Sequence, residues 1–218
     1  DLMMVLLNDR DKAWFDLFQL KISTGELTKI YENNDRVTGF DFDWDEKLRI
    51  LSKTDEKGST VTYKIEGEKL APIYETSVSE EAYVAGWTPD NKKAYFVSNK
   101  GDLNLSTLLL MDLETLKITK IESDPKNKVD FGGLSTSDLT RKIISTSYTD
   151  DKTTYYWQDK SWESSYKFLQ SKFPGRELSF QSSTNDEKKL LVAIYGDKYA
   201  AEMYYFNVET KELLLQYV

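Results

Sequence analysis

Residues Gly86 to Ser98 read GWTPDNKKAYFVS: an aromatic residue, a tight polar turn, two lysines and a strand with no polar side chain until its end. Related stretches recur as FDWDEKLRIL from Phe42, LSTSDLTRKII from Leu134 and SSTNDEKKLLVAI from Ser182. Their common anchor is an aspartate. Asp45, Asp90, Asp138 and Asp186 stand 45, 48 and 48 residues apart, the period of a four-stranded propeller blade. Two residues before the anchors stand Asp43, Thr88, Thr136 and Thr184, short side chains suited to closing a turn on a backbone N–H.

A second half-motif follows Asp45, Asp90 and Asp186 and also precedes the first anchor. DLFQLKISTGELTKIYE from Asp16, VTYKIEGEKLAPIYE from Val61, TLLLMDLETLKITKIE from Thr107 and EMYYFNVETKELLLQYV from Glu202 all read strand, polar turn, strand. The repeating unit is therefore four strands, a to d, with the anchor aspartate in the a–b turn. This predicts an all-β propeller of about five antiparallel blades, forming one domain or an arc of a larger ring. Residues 1–35 are an incomplete first blade lacking strand a, and further blades lie near 37–78, 81–125, 129–175 and 177–218. An open arc would expose strand edges and apolar faces, so missing blades, a partner or an unusual closure is expected.

One segment breaks the pattern. In SWESSYKFLQSKFPG, Trp162, Tyr166, Leu169 and Phe173 are spaced four, three and four apart. The spacing predicts a helix over 162–172 in place of an outer strand, with Ser161 as N-cap and Pro174-Gly175 as the stop.

Composition agrees and excludes much. Ten Phe, 14 Tyr and five Trp suit half-buried strands. With 29 basic against 37 acidic residues the net charge is −8, which lacks the basic footprint nucleic acid requires. No apolar run reaches the roughly 18 residues of a membrane-spanning helix, so no membrane insertion is expected. Cysteine and histidine are absent, which removes disulfides, Ser-His-Asp and Cys-His catalysis and most zinc sites. No glycine-rich phosphate cradle occurs, and no cofactor is expected.

Trp87-Thr88-Pro89-Asp90-Asn91-Lys92-Lys93, continuing Ala94-Tyr95-Phe96-Val97-Ser98, resembles the repeat of TolB-type propellers. The wider chain is similar to the propeller of bacterial prolyl-oligopeptidase-family serine peptidases. The resemblance rests on NDRDKAWFDLFQLKISTGELTKIYEN, VDFGG, SYTDDKTTYYWQDKSWESSYKFLQSKFPGREL and YYFNVETKELLLQYV. It implies a non-catalytic domain that gates peptides to a separate α/β-hydrolase domain of the same polypeptide. That hydrolase's Gly-x-Ser-x-Gly elbow and histidine do not occur in these residues. The resemblance also implies a bacterial source, with the periplasm expected over the cytoplasm.

Asp41, Asp43 and Asp45 in DFDWDE imitate the start of a calcium loop. Positions six and twelve, however, hold Glu46 and Ser52 rather than Gly and Glu, so turn formation is expected and no metal. Charged b–c loops (NDRDK, TDEKG, SNKGD, YTDDK, YGDK) gather on one face as solvated hairpins. Glu80-Glu81 lies in a d–a loop on that face. The dipeptidyl-peptidase branch of the resembling family grips a peptide amine with a Glu pair, which makes Glu80 and Glu81 the substrate-gating candidates beside a plain surface-charge reading. Asn104-Leu105-Ser106 is a formal sequon only. Two other classes stay open: a free-standing TolB-like interaction propeller, and a glycosidase or lyase built on two carboxylates. VAGW, FGGL and SFQS place few carboxylates near the axis, against the last.

Overall fold

The computed structural model describes residues 1–218. It contains five consecutive antiparallel meanders and one helix, the all-β architecture of a five-bladed propeller. The first sheet is β1 (Leu2–Asp11), β2 (Trp14–Lys21) and β3 (Glu26–Tyr31); the second is β4 (Val37–Phe42), β5 (Leu48–Thr54), β6 (Thr60–Glu66) and β7 (Lys69–Thr76). The third is β8 (Ala82–Trp87), β9 (Lys93–Ser98), β10 (Thr107–Asp112) and β11 (Ile118–Glu122). The fourth is β12 (Phe131–Thr136), β13 (Ile143–Thr149) and β14 (Thr153–Trp157), followed by helix α1 (Lys160–Lys172). The fifth is β15 (Glu177–Ser183), β16 (Lys189–Gly196), β17 (Tyr199–Asn207) and β18 (Leu213–Tyr217). Each strand pairs with its sequence neighbours, so no crossover is needed.

The chain forms two compact units, residues 1–82 and 83–218. In the first, Leu17, Val37, Ile50 and Leu51 are buried, and the Tyr31 and Phe40 rings meet edge-on at 5.5 Å across the first and second sheets. A polar knot ties those sheets together. Arg10 Nε and Nη2 donate to Asp16 Oδ2 and Oδ1 at 2.8 and 2.9 Å, and Nη2 also reaches the Asn33 carbonyl at 2.8 Å. The Asn33 N–H donates to Asp16 Oδ1 at 2.9 Å. The Arg10 hydrogen bonds, outweighing burial, hold the Asp16 carboxyl well below the usual aspartate range.

In the second unit, Val97, Leu108, Phe131 and Tyr148 form one apolar cluster, and Leu169, Leu178, Leu190, Val192, Ile194 and Phe206 another. Helix α1 packs its Trp162 and Tyr166, and Phe173 at its C-cap, against the latter, as the four-three-four spacing predicts. The N-cap differs from the expected Ser161. Asp159 takes the role, its Oδ1 accepting from Ser161 N at 2.8 Å and Trp162 N at 3.1 Å, so the helix starts a turn-fraction earlier. An aspartate accepts two first-turn N–H groups and adds negative charge at the positive helix end. Gly175, at φ 81°, supplies the left-handed residue after the helix.

Candidate functional site

The a–b turns show how the repeat works. Thr88 donates its hydroxyl to Asp90 Oδ1 at 2.7 Å and accepts from Lys93 N at 3.1 Å, while Lys92 N donates to Asp90 Oδ1 at 3.1 Å. Thr184, Asp186, Lys188 and Lys189 reproduce these bonds at 2.6, 3.2 and 3.2 Å. The threonine hydroxyl, followed by the backbone N–H, holds both aspartates below their ordinary range. Asn91 and Glu187 follow at φ 56° and 55°, the left-handed position each turn needs.

The other two anchors differ. Asp45 precedes left-handed Glu46, but Asp43 supplies the acceptor: its Oδ1 takes Asp45 N and Lys47 N at 2.9 and 3.1 Å, and its Oδ2 takes Arg49 Nη1 at 2.7 Å. In the fourth sheet Ser137, not Thr136, occupies the Thr88 role. Ser137 N donates to Lys142 O at 2.9 Å, Ser137 Oγ accepts from Thr140 N at 2.9 Å, and the left-handed residue is Arg141. Asp138 therefore sits one residue earlier in its turn than Asp90 does. Ser137 Oγ also donates to Glu187 Oε1 at 2.6 Å, and Trp162 Nε1 donates to Glu187 Oε2 at 3.2 Å, so one glutamate joins two turns and the helix.

On the opposite ends of the strands lie the d–a loops, and these carry the gating candidates. In residues 77–81, Glu80 Oε2 accepts from Ser77 N at 2.9 Å and Ser77 Oγ at 3.0 Å, and Glu80 N donates to Ser77 O at 3.1 Å. Glu80 thus closes its own loop, while Glu81 is exposed. Equivalent closures elsewhere use other residues. Asn33 Oδ1 accepts from Val37 N at 3.0 Å and its amide donates to Val37 O at 2.9 Å. Asp124 accepts from the N–H groups of Lys126, Lys128 and Val129 at 3.0, 2.7 and 3.1 Å, which lower its pKa. The signal for these loop closers is faint: an acid ends strand d, and Asn or Asp follows within two residues, as in Glu32-Asn33 and Glu122-Ser123-Asp124.

The first unit also holds a cleft of about 480 Å³ between the first and second sheets. Leu6, Trp14, Phe15, Val37 and Phe40 give it an apolar lining, with Arg36 at its edge. Arg36 lies over the Trp14 ring at 5.8 Å and pairs with Glu56 at 2.6 Å. Asp41, Asp43 and Asp45 do not converge on a cation site. Asp41 instead stands on β4 between Phe40 and Phe42, opposite Ile50. Burial alone raises its pKa to about 6.

Five consecutive meanders, four of them with an anchored a–b turn, define a β-propeller. No family model matches the chain. It is 25% identical over 210 residues to dipeptidyl aminopeptidase BIII of Pseudoxanthomonas mexicana, covering 93% of this chain and 29% of that protein. TolB from Acinetobacter baumannii superposes with a TM-score of 0.55 at 13% identity, over 99% of this chain and 52% of TolB. A prolyl endopeptidase superposes with a TM-score of 0.57 at 11% identity, over 99% of this chain and 33% of the other. The chain shares its β-propeller fold with parts of TolB and of a prolyl endopeptidase, and it spans under a third of the length of the curated relative it matches.

Proposed function

We propose that this chain is the non-catalytic propeller of a bacterial serine peptidase and controls which peptides reach a separate α/β-hydrolase domain of the same polypeptide. The observation that carries this reading is the match to a dipeptidyl aminopeptidase across nearly the whole chain but only 29% of that relative. The residue inventory fits it: with no histidine or cysteine, these 218 residues offer no imidazole or thiolate to run peptide hydrolysis. In this reading the d–a and b–c loops border the space through which peptides pass. Exclusion by size admits short or unfolded chains and rejects folded ones.

Glu81 and Glu80 are the proposed contacts to a substrate's free amine. Their roles are unequal, because Glu80 also closes the 77–81 loop through Ser77. Glu81→Ala in the full-length protein is expected to lower kcat/KM several-fold on peptides with free amino termini and to leave blocked peptides unaffected. Glu80→Ala is expected to impair both, because the loop relaxes. Unchanged selectivity in Glu81→Ala would remove the pair from the substrate path. The likeness to TolB supports a second reading, a free-standing interaction propeller, in which the full-length protein hydrolyses neither kind of peptide.

A further inference from the structure

Where the fourth sheet meets the fifth, three tyrosines converge on a glutamate. Thr153 opens β14, Glu177 opens β15 and Tyr195 stands near the end of β16, so all three lie at the strand ends that carry the b–c and d–a loops. Glu177 and Tyr195 are register partners, which puts their side chains on one face of the fifth sheet. That face is turned to β14: Thr153 N donates to Glu177 Oε2 at 3.3 Å, and the Tyr155 hydroxyl donates to the Leu178 carbonyl at 3.3 Å. Helix α1, standing where the other sheets have an outer strand, adds Tyr166, its ring centred 5.2 Å from Tyr155 and 5.1 Å from Trp157.

The carboxylate has a free oxygen and no cation. Its bond to Thr153 is structural, for Asp130 takes Ser106 N in the same way, at 2.7 Å, where the third sheet meets the fourth. Glu177 makes no ion pair and no second hydrogen bond. The adjacent cation, Arg176, is engaged elsewhere, with Glu202 at 2.7 Å and over the Tyr199 ring at 4.2 Å. The hydroxyls of Tyr166 and Tyr195 bond to no protein group, and both tyrosines, like Tyr155 and Glu177, are half-buried, so the cluster reaches solvent. Burial raises all three phenols above their ordinary range, Tyr155 to about 12, and the Glu177 charge pushes in the same direction, so the hydroxyls around it stay neutral. One carboxylate among neutral phenols supplies too few hard oxygens for a calcium or magnesium ion, which takes roughly six or more. It does supply what an organic cation needs: a charged acceptor for N–H groups and aromatic faces that attract positive charge.

We propose that Glu177, with Tyr155, Tyr166 and Tyr195, binds the cationic side chain, lysine or arginine, of a peptide held at this end of the blades. The contact deepens the peptide-gating reading and rests on it for the peptide. It is a side-chain contact, distinct from the amino-terminal one assigned to Glu80 and Glu81. The rings of Tyr155 and Tyr166 are already fixed against each other and against Trp157, so little side-chain freedom is lost when a cation arrives.

Calorimetric titration of the full-length protein with Nα-acetyl-lysine amide, Nα-acetyl-arginine amide and the uncharged Nα-acetyl-norleucine amide tests this. The two cations should bind about tenfold more tightly than the norleucine probe. Glu177→Gln keeps an oxygen for Thr153 N but carries no charge, and should abolish that preference. Tyr195→Leu leaves the Thr153 bond in place and should reduce the preference several-fold. Equal affinity for charged and uncharged probes, or a preference unchanged in Glu177→Gln, would overturn the proposal. So would tighter binding of norleucine amide with a free amino group than of acetyl-lysine amide, which would make an amino terminus the occupant. Turnover of an uncharged, amino-blocked peptide by the same protein reads the peptidase function separately, so that turnover without any cation preference refutes this site alone.

Discussion

Replacing Asp41 with asparagine is expected to stabilise the first unit, by an amount that depends on pH. Asp41 lies on β4 between two phenylalanines, and burial raises its carboxyl from the ordinary range to about 6. In the unfolded chain the same group titrates near 4. Below pH 4 both states hold the proton and the residue is neutral to stability. As pH rises from 4 to 6 the unfolded chain ionises first and is favoured. Above 7 the penalty is complete, roughly 3 kcal/mol from the gap between the two pKa values. An asparagine side chain has a similar shape and no proton to lose, so D41N should gain about 2–3 kcal/mol over the native chain at pH 7.5 and almost nothing at pH 4. Urea unfolding followed by circular dichroism at a series of pH values reads this directly. With an m-value of about 2 kcal/mol/M, the midpoint should rise by about 1–1.5 M at pH 7.5. A difference that is absent at pH 7.5, or is the same at pH 4 and pH 7.5, would refute the reasoning.

Asp16 should show the opposite sign: its carboxyl is held low by Arg10 and the Asn33 N–H, so the stability it contributes is present above about pH 4 and lost as pH falls further. In Asp16→Asn the acid side of the stability profile should flatten while the protein becomes less stable at pH 7; an unchanged acid limb would contradict this. Gly132→Ala should destabilise by about 1–2 kcal/mol, since a Cβ there would lie 2.9 Å from the Ser147 carbonyl oxygen, a backbone atom that cannot swing aside. Gly39→Ala is the control, because its new Cβ meets only Ser52, at 3.6 Å from Cβ, and it should be neutral or slightly stabilising. Equal denaturation midpoints for the two variants would show that the close approach has no energetic weight.

The repeat is legible because a propeller blade repeats its turn chemistry as well as its length. Thr88-Asp90 and Thr184-Asp186 make the same bonds, and their spacing alone locates both turns. Substitution of one acceptor for another hides the rest. At Asp43 a carboxylate does what a threonine hydroxyl does elsewhere, and at Ser137 the turn accommodates one more residue before the left-handed position, moving Asp138 out of register. The apolar stripe of α1 is visible because helical periodicity spans several turns, whereas its cap depends on one residue and falls on Asp159 rather than Ser161. The missing first strand of the first sheet is visible as an incomplete repeat, whereas the cleft is not: it arises from which strand stands beside which, and Phe40 is far in sequence from Leu6 and Phe15. Asp41 resembles turn material in the sequence because three acids alternate; only strand β4 separates it from Asp43 and buries it.

Peptide hydrolysis by the full-length protein, measured beside the purified 218-residue chain, tests the central claim most directly. Short fluorogenic peptides, and the same sequence embedded in a folded protein, serve as substrates. The account predicts turnover of the short peptides by the full-length protein, little or none of the folded substrate, and no hydrolysis by the 218 residues alone. Hydrolysis by the isolated chain, or a full-length protein that cleaves neither substrate, would contradict it.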